Sequence, residues 1–178
     1  MQDLITYAHD TSAHECGHVV VLFKEGRFVD LNFLPHKEAL NGSKGVFEVN
    51  TGIALGEQDC VALAAGMAGE LVDRGEYDSE HVRDDEQQIQ RLVGKTLKDF
   101  ATQAKNVIEQ NLCFFSLLNT EVRKRIIELL LGLGGLDWDK LPSKIPVITL
   151  AEVEQIYQRA RSEENDDSVK VPIPPREA

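Results

Sequence analysis

Hydrophobic and polar positions over the first fifty residues change period once, dividing this stretch into a helix and a pair of strands. The apolar run Val19-Val20-Val21-Leu22-Phe23 follows a mixed segment and is closed by Gly26, a natural helix stop. Asp10-Thr11-Ser12 ahead of it offer N-cap oxygens, so the pattern predicts a helix of about four turns over roughly 11–25, with its second half buried. From Phe28 to Leu34 apolar and polar side chains alternate, and Gly45-Val46-Phe47-Glu48-Val49 alternates again. This is strand period, and Asn41-Gly42 within the Pro35–Lys44 connection supplies turn residues. Two antiparallel strands are expected there.

Helical spacing returns afterwards. Residues 57–74 are rich in small side chains (Ala62, Ala64, Ala65, Gly66, Ala68, Gly69) and end before Gly75. Small residues let two helix backbones approach closely, so this helix is expected against the first one. A third helix is predicted over about 80–110 from Ile89, Leu92, Val93, Leu97, Phe100, Ala104, Val107 and Ile108. A fourth covers roughly 119–133, opened by Asn119-Thr120, and a fifth covers about 150–161 with Thr149 as N-cap. Pro142 and Pro146 mark the segment between them as a linker. The tail from 163 to 178, acidic and then proline-bearing, is not expected to pack alone. The fold expected is mainly α with a small antiparallel β-sheet (α+β), in one domain over 1–162 followed by the tail at 163–178.

Composition narrows the class. With 178 residues, 42% hydrophobic and 28% charged, the chain can bury an ordinary globular core. Its formal net charge of −11 argues against nucleic acid and against anionic membrane surfaces as partners. The longest apolar run, around Ile126–Leu133, is too short to span a bilayer, and no charged-then-apolar leader is expected at the amino end. Cys16, Cys60 and Cys113 are an odd, widely spaced set, which reads as reduced thiols and a cytoplasmic location. No feature of the sequence sets an oligomeric state or names a natural substrate.

The chemistry is concentrated in His14-Glu15-Cys16-Gly17-His18, an instance of HExxH. Helix positions four apart stack on one face, roughly 5–6 Å apart at Cβ, so both imidazoles can reach one metal ion. Zinc (Zn2+) takes neutral imidazole nitrogen, and a catalytic zinc site uses three protein ligands plus water. Glu15 beside His14 can then serve as general base. Cys16, two residues from each histidine, points off the metal face and reads as a small buried side chain; Gly17 leaves room next to His18. A third ligand must come from elsewhere, with His81, Asp84, Asp85, His36 and Glu70 as candidates. A thermolysin-like ligand pattern fails at Arg74, four positions after Glu70, and a metzincin pattern fails at Lys24, six after His18. Glu70 fits an acceptor for a ligand N–H or a solvated helix residue; His81 reads as a surface histidine in preference to a polar group lining the cleft, and His9 and His36 read as surface residues.

Several features occur in a recognisable order: HECGH with its short apolar run, the strand pair with Phe33-Leu34-Pro35, the small-residue helix ending Ala68-Gly69-Glu70-Leu71-Val72, and an acidic start to a long helix. In that order the chain resembles the peptidase domain of the FtsH-type membrane-bound AAA zinc proteases, well over about 8–110 and loosely over 111–162. The resemblance implies a zincin-like HExxH helix packed on further helices, with the third zinc ligand an aspartate at the start of a long helix. Laying Glu70-Leu71 on the family's Glu-Leu segment brings Asp85 onto that aspartate, and the rhythm Ile89, Leu92, Val93 favours Asp85 over Asp84. The chain departs from the family at His81-Val82-Arg83, where small residues are usual, and at Cys16, where alanine is usual. The family's ATPase module has no counterpart in these residues. Val93-Gly94-Lys95-Thr96 looks like the end of a phosphate-binding loop, but Ile89 stands where a glycine is required, so a helix interior with Lys95 at the surface is expected. The activity implied is zinc-dependent endopeptidase cleavage of unfolded or flexible polypeptides, alone or with a separate ATPase unfolding partner. The alternative class is a protease-like binding or regulatory domain that keeps its zinc site, and a third option is a small-molecule zinc hydrolase with a closed pocket.

Overall fold

A computed structural model describes residues 2–35, 45–52, 56–134 and 140–165. It is mainly helical with a small antiparallel sheet, as the pattern predicts. Helix α1 spans Gln2–Lys24, beginning well ahead of the expected start. Asp10, Thr11 and Ser12 therefore lie inside it rather than capping it. Their polar groups are used otherwise: the Ser12 hydroxyl donates to the His9 carbonyl at 3.0 Å, and Asp10 accepts from Arg74 at 2.7 Å. Gly26 ends the helix with φ 70°, a backbone conformation that costs glycine nothing.

Strands β1 (Asp30–Pro35) and β2 (Gly45–Asn50) pair antiparallel, with Leu31 opposite Val49 and Phe33 opposite Phe47. A third strand, β3 (Ile145–Thr149), joins the other side of β1. The prolines made this segment read as linker. Pro146 is accommodated because β3 is an edge strand and the pairing slips beside it, between Leu31 and Asn32. The order is β2-β1-β3, so among the described residues β2 has one edge without a partner strand.

Two predicted helices are each divided. The 57–74 segment is a 3-10 turn (Glu57–Asp59), a short helix α2 (Cys60–Leu63) and α3 (Ala65–Arg74). The 80–110 segment becomes α4 (Arg83–Val93) and α5 (Lys98–Glu109), separated at Gly94 with φ 67°. Gly94-Lys95-Thr96 thus forms a connection rather than a helix interior, tied by the Asp99 carboxylate accepting from Thr96 N–H at 2.8 Å; Lys95 is exposed, as expected. Helix α6 (Leu112–Gly132) begins before Asn119, whose buried amide donates to Asp73 at 2.9 Å instead of capping. Helix α7 (Leu150–Asn165) begins directly after Thr149, the predicted N-cap, whose hydroxyl accepts from Glu152 N–H at 3.5 Å, and takes in the first residues of the expected tail. The remainder of the tail, Asn41-Gly42 and His36 lie outside the described residues.

Helix α1 packs against both α3 and α6. Val19, Val20, Leu31, Phe33, Phe114, Phe115, Leu118 and Ile148 form the buried apolar body around it. The α1–α3 crossing is backbone on backbone. A Cβ at Gly17 would overlap the Ala65 carbonyl, and one at Gly69 would overlap the Ala13 carbonyl and press on Gly17 Cα at 3.0 Å. Among the described residues, no helix is long and apolar enough to cross a membrane.

Two stability predictions follow from this packing. Gly69→Ala lowers unfolding free energy by about 3 kcal/mol in denaturant titration, because the added methyl meets main chain that cannot rotate away. At the start of α7, the Glu152 carboxylate accepts from Thr149 N–H at 2.9 Å and from Arg125 at 2.8 Å. Burial alone would raise its carboxyl, but these donors hold it below the ordinary value of 4.5. Its contribution is present above about pH 4.5 and lost as pH falls through the lowered value. Glu152→Gln therefore melts lower than wild type at about pH 7, and the gap closes in acid.

Candidate metal centre

The site is assembled from three elements around the α1–α3 crossing: two turns of α1, one face of α3 and the first turn of α4. His14 and His18 lie one turn apart on α1, nearly buried, at 7% and 9% exposure. His14 Nδ1–H donates to Glu70 Oε1 at 2.9 Å, and His18 Nδ1–H donates to the Ala62 carbonyl at 2.7 Å. A carbonyl can only accept, so the His18 proton sits on Nδ1, and the Glu70 carboxylate fixes His14 in the same way. Both Nε2 atoms then present lone pairs to the same point, 3.1 Å apart in the neutral rings.

Asp85 completes the group. Its Oδ2 lies 3.3 Å from each Nε2, is buried, and has no other hydrogen-bond partner among the described residues. The three donor atoms lie within 4.8 Å of one another and could hold one metal ion. Three convergent acceptor atoms, one of them a buried carboxylate oxygen, suit a cation. Gly66 on α3 leaves this space open, since a Cβ there would come within 2.6 Å of both Nε2 atoms.

Electrostatics favour positive charge at this point. Burial works against an imidazolium at His14, yet Asp85 and Glu70 outweigh it and lift the ring to about 10. At His18 burial is likewise outweighed, by Asp85, and the value rises. Burial opposes a carboxylate at Asp85, but the two rings hold it well below the usual range. Glu70 is fully buried and still falls to about 2, because His14, His81 and the Asp78 N–H outweigh its desolvation. Its second oxygen accepts from Arg74 at 2.5 Å and Asp78 N–H at 2.8 Å.

Of the candidates for the third ligand, Asp85 meets the rings. Asp84 points outward, 85% exposed and 3.7 Å from Arg83. Glu70 is not a solvated helix residue but the buried acceptor of a ligand N–H. His81 takes the second of its two readings, a polar group lining the cleft: its ring lies edge-on to His14 with centroids 6.1 Å apart, and Nδ1 is 3.7 Å from Glu70 Oε1. His9 is partly covered, 3.5 Å from Asp73. Cys16 is fully buried in the core, as expected, and its thiol is pushed well up by burial. Arg74 entered the sequence reading only as a mismatch; its spacing of four from Glu70 is the signal for the ion pair that anchors that carboxylate.

An open cleft of about 610 Å³ runs past the triad. Glu15 faces it from α1, and burial pushes its carboxyl above the ordinary value. Val46, Phe47, Glu48 and Val49 of β2 form the opposite wall. Consecutive residues all reaching one cleft is what a strand presenting its edge produces. Tyr7 and Thr11 extend the α1 wall upstream, and Tyr7 lies ahead of the helix start that the sequence pattern predicts. No protein-family model, curated protein or solved structure matches the chain.

Gly66→Ala is expected to fold but to lose stoichiometric binding of a divalent cation in calorimetric titration, because the methyl meets ring ends rather than backbone. Asp85→Asn weakens that binding at least tenfold, whereas Asp84→Asn leaves it unchanged.

Proposed function

We propose that this protein is a zinc-dependent endopeptidase acting on unfolded or flexible polypeptides. The observation that carries the reading is the convergence of His14, His18 and Asp85 with Glu15 beside them at an open cleft. Two imidazoles and one carboxylate suit zinc better than calcium or magnesium, which take six or more oxygens or keep most of their water. A zinc ion held by these three side chains acidifies a water and polarises a carbonyl when bound.

The chain's own groups do the rest. Glu15 takes a proton from the water as its oxygen attacks the peptide carbon, then passes that proton to the departing nitrogen. The carbon–nitrogen bond breaks, leaving a carboxylate and an amine, and no redox partner is needed. Glu70 and the Ala62 carbonyl hold the two rings in the tautomer that leaves both Nε2 atoms free. The outer edge of β2, without a partner strand among the described residues, offers backbone donors and acceptors to an extended segment, which favours unfolded chain with little demand on sequence. The same ligand set is the one implied by the resemblance to FtsH-type peptidases, and a separate ATPase would extend the reach to folded substrates.

Glu15→Gln tests this reading. The variant is expected to keep one zinc per chain while cleavage of unfolded casein falls about 10²–10⁴-fold. Zinc-loaded wild type that leaves casein intact, or a variant as active as wild type, contradicts it.

A further inference from the structure

We propose that Glu48 is a specificity-determining residue of this cleft, selecting extended segments that carry a lysine or arginine beside it. The assignment rests on the endopeptidase reading and deepens it. Main-chain pairing along β2 asks little of sequence, and Glu48 adds a demand for positive charge at one position. Strand alternation fixes where its carboxylate lies. Phe47 and Val49 sit opposite Phe33 and Leu31 and pack on the core, with the Phe33 and Phe47 rings 5.0 Å apart. Val46 and Glu48 therefore share the other face of β2, and both are exposed.

A segment laid along the outer edge of β2 inherits this alternation. Its residue directly beside Glu48 projects to the same face, with the two Cβ atoms roughly 4.5–5.5 Å apart. At that separation a lysine or arginine meets the carboxylate, and a second carboxylate is repelled. The inner edge supplies no such partner. Asn32 of β1 stands opposite Glu48, neutral and buried, with its amide turned to Asp30. Among the described residues, no strand occupies the outer edge and Glu48 has no ion pair or side-chain hydrogen bond.

The rest of the cleft does not supply the missing cation. Arg83, the lysine or arginine that lines it among the described residues, lies 3.7 Å from Asp84. Glu80, ahead of α4, lines the cleft as a further exposed acid. Asp85 and Glu15 offset the two positive charges of a bound zinc ion. An incoming basic side chain meets an acidic wall, and the net charge of −11 draws it there. Because the pair forms in solvent, it changes affinity by a few fold rather than by orders of magnitude.

The test uses zinc-loaded protein and short fluorescent peptides of one uncharged host sequence, each ending in a hydroxamate that ligates zinc and fixes the register. A single lysine or a single glutamate is placed at each successive position, and affinity is read by fluorescence anisotropy. At one position lysine is expected to bind about fivefold more tightly than glutamate, and about 1 M salt abolishes the difference. Glu48→Lys reverses the preference at that position and Glu48→Gln removes it. Asp84→Asn, an equal loss of charge away from β2, leaves it unchanged. The assignment falls if the ratio stays under about twofold at every position, or if it survives the salt. It falls equally if Glu48→Lys leaves the ratio in place, if Asp84→Asn lowers it as much as Glu48→Gln, or if no peptide binds. Casein digestion by the same samples separates the two claims. Charge-selective binding with casein intact rejects the endopeptidase reading and keeps the role of Glu48. Casein cleavage without charge-selective binding rejects the role of Glu48 alone.

Discussion

Two helices can touch main chain to main chain only where neither carries a side chain at the crossing, and the His14–His18–Asp85 triad depends on that contact. Gly17 and Gly69 supply the gap between α1 and α3, with the Ala13 and Ala65 carbonyls filling it. Because α3 runs this close, Glu70 reaches His14, and Gly66 leaves the space where the rings converge. Ala62, just ahead of α3, reaches His18 for the same reason. A larger residue at the crossing would push α3 outward and release both rings from their acceptors. Helix packing and ligand tautomer are one constraint seen at two scales.

The cost of the arrangement is a fully buried carboxylate. Glu70 has no exposure, and an isolated charge there would be expelled or neutralised. It persists because both of its oxygens are engaged, one by His14 and the other by Arg74 and the Asp78 N–H. Arg74 in turn is held by Asp10 of α1. His14 is therefore tied through Glu70 and Arg74 back to its own helix, a closed circuit that keeps the ring from turning. On the other side the circuit is open, and there Glu15, His81 and the edge of β2 face the cleft.

How much of this was legible in the sequence divides along a physical line. Interactions between residues four or fewer apart were readable, because helix geometry alone fixes them: the His14–His18 pair, the stop at Gly26 and the Thr149 cap. The small-residue packing of α3 on α1 was also foreseen, since glycine and alanine at helical spacing have few other uses. What failed depended on partners far along the chain. Asp10-Thr11-Ser12 resembles a cap because the bond from Arg74 to Asp10, sixty-four residues apart, is invisible in one dimension. Asn119 resembled a helix start, but its amide is spent on Asp73. The apolar rhythm from Ile89 to Ile108 carries across Gly94, so the break between α4 and α5 was hidden. Two prolines concealed β3, which tolerates Pro146 only as an edge strand. Asp85 required a family resemblance to be preferred over its neighbour; in space the choice is simple, because adjacent helix residues point roughly 100° apart and only one can meet the rings. Neither the burial of Glu70 nor the inward turn of His81 has a local signature.

The central claim is that a single zinc ion is held by two imidazoles and one carboxylate drawn from helices far apart in sequence. X-ray absorption at the zinc edge, on protein loaded with one equivalent, reads that coordination shell directly. The account predicts nitrogen and oxygen neighbours alone, with the multiple scattering of two imidazole rings and no sulfur. A shell containing sulfur, or protein that retains no zinc after gel filtration, would contradict it.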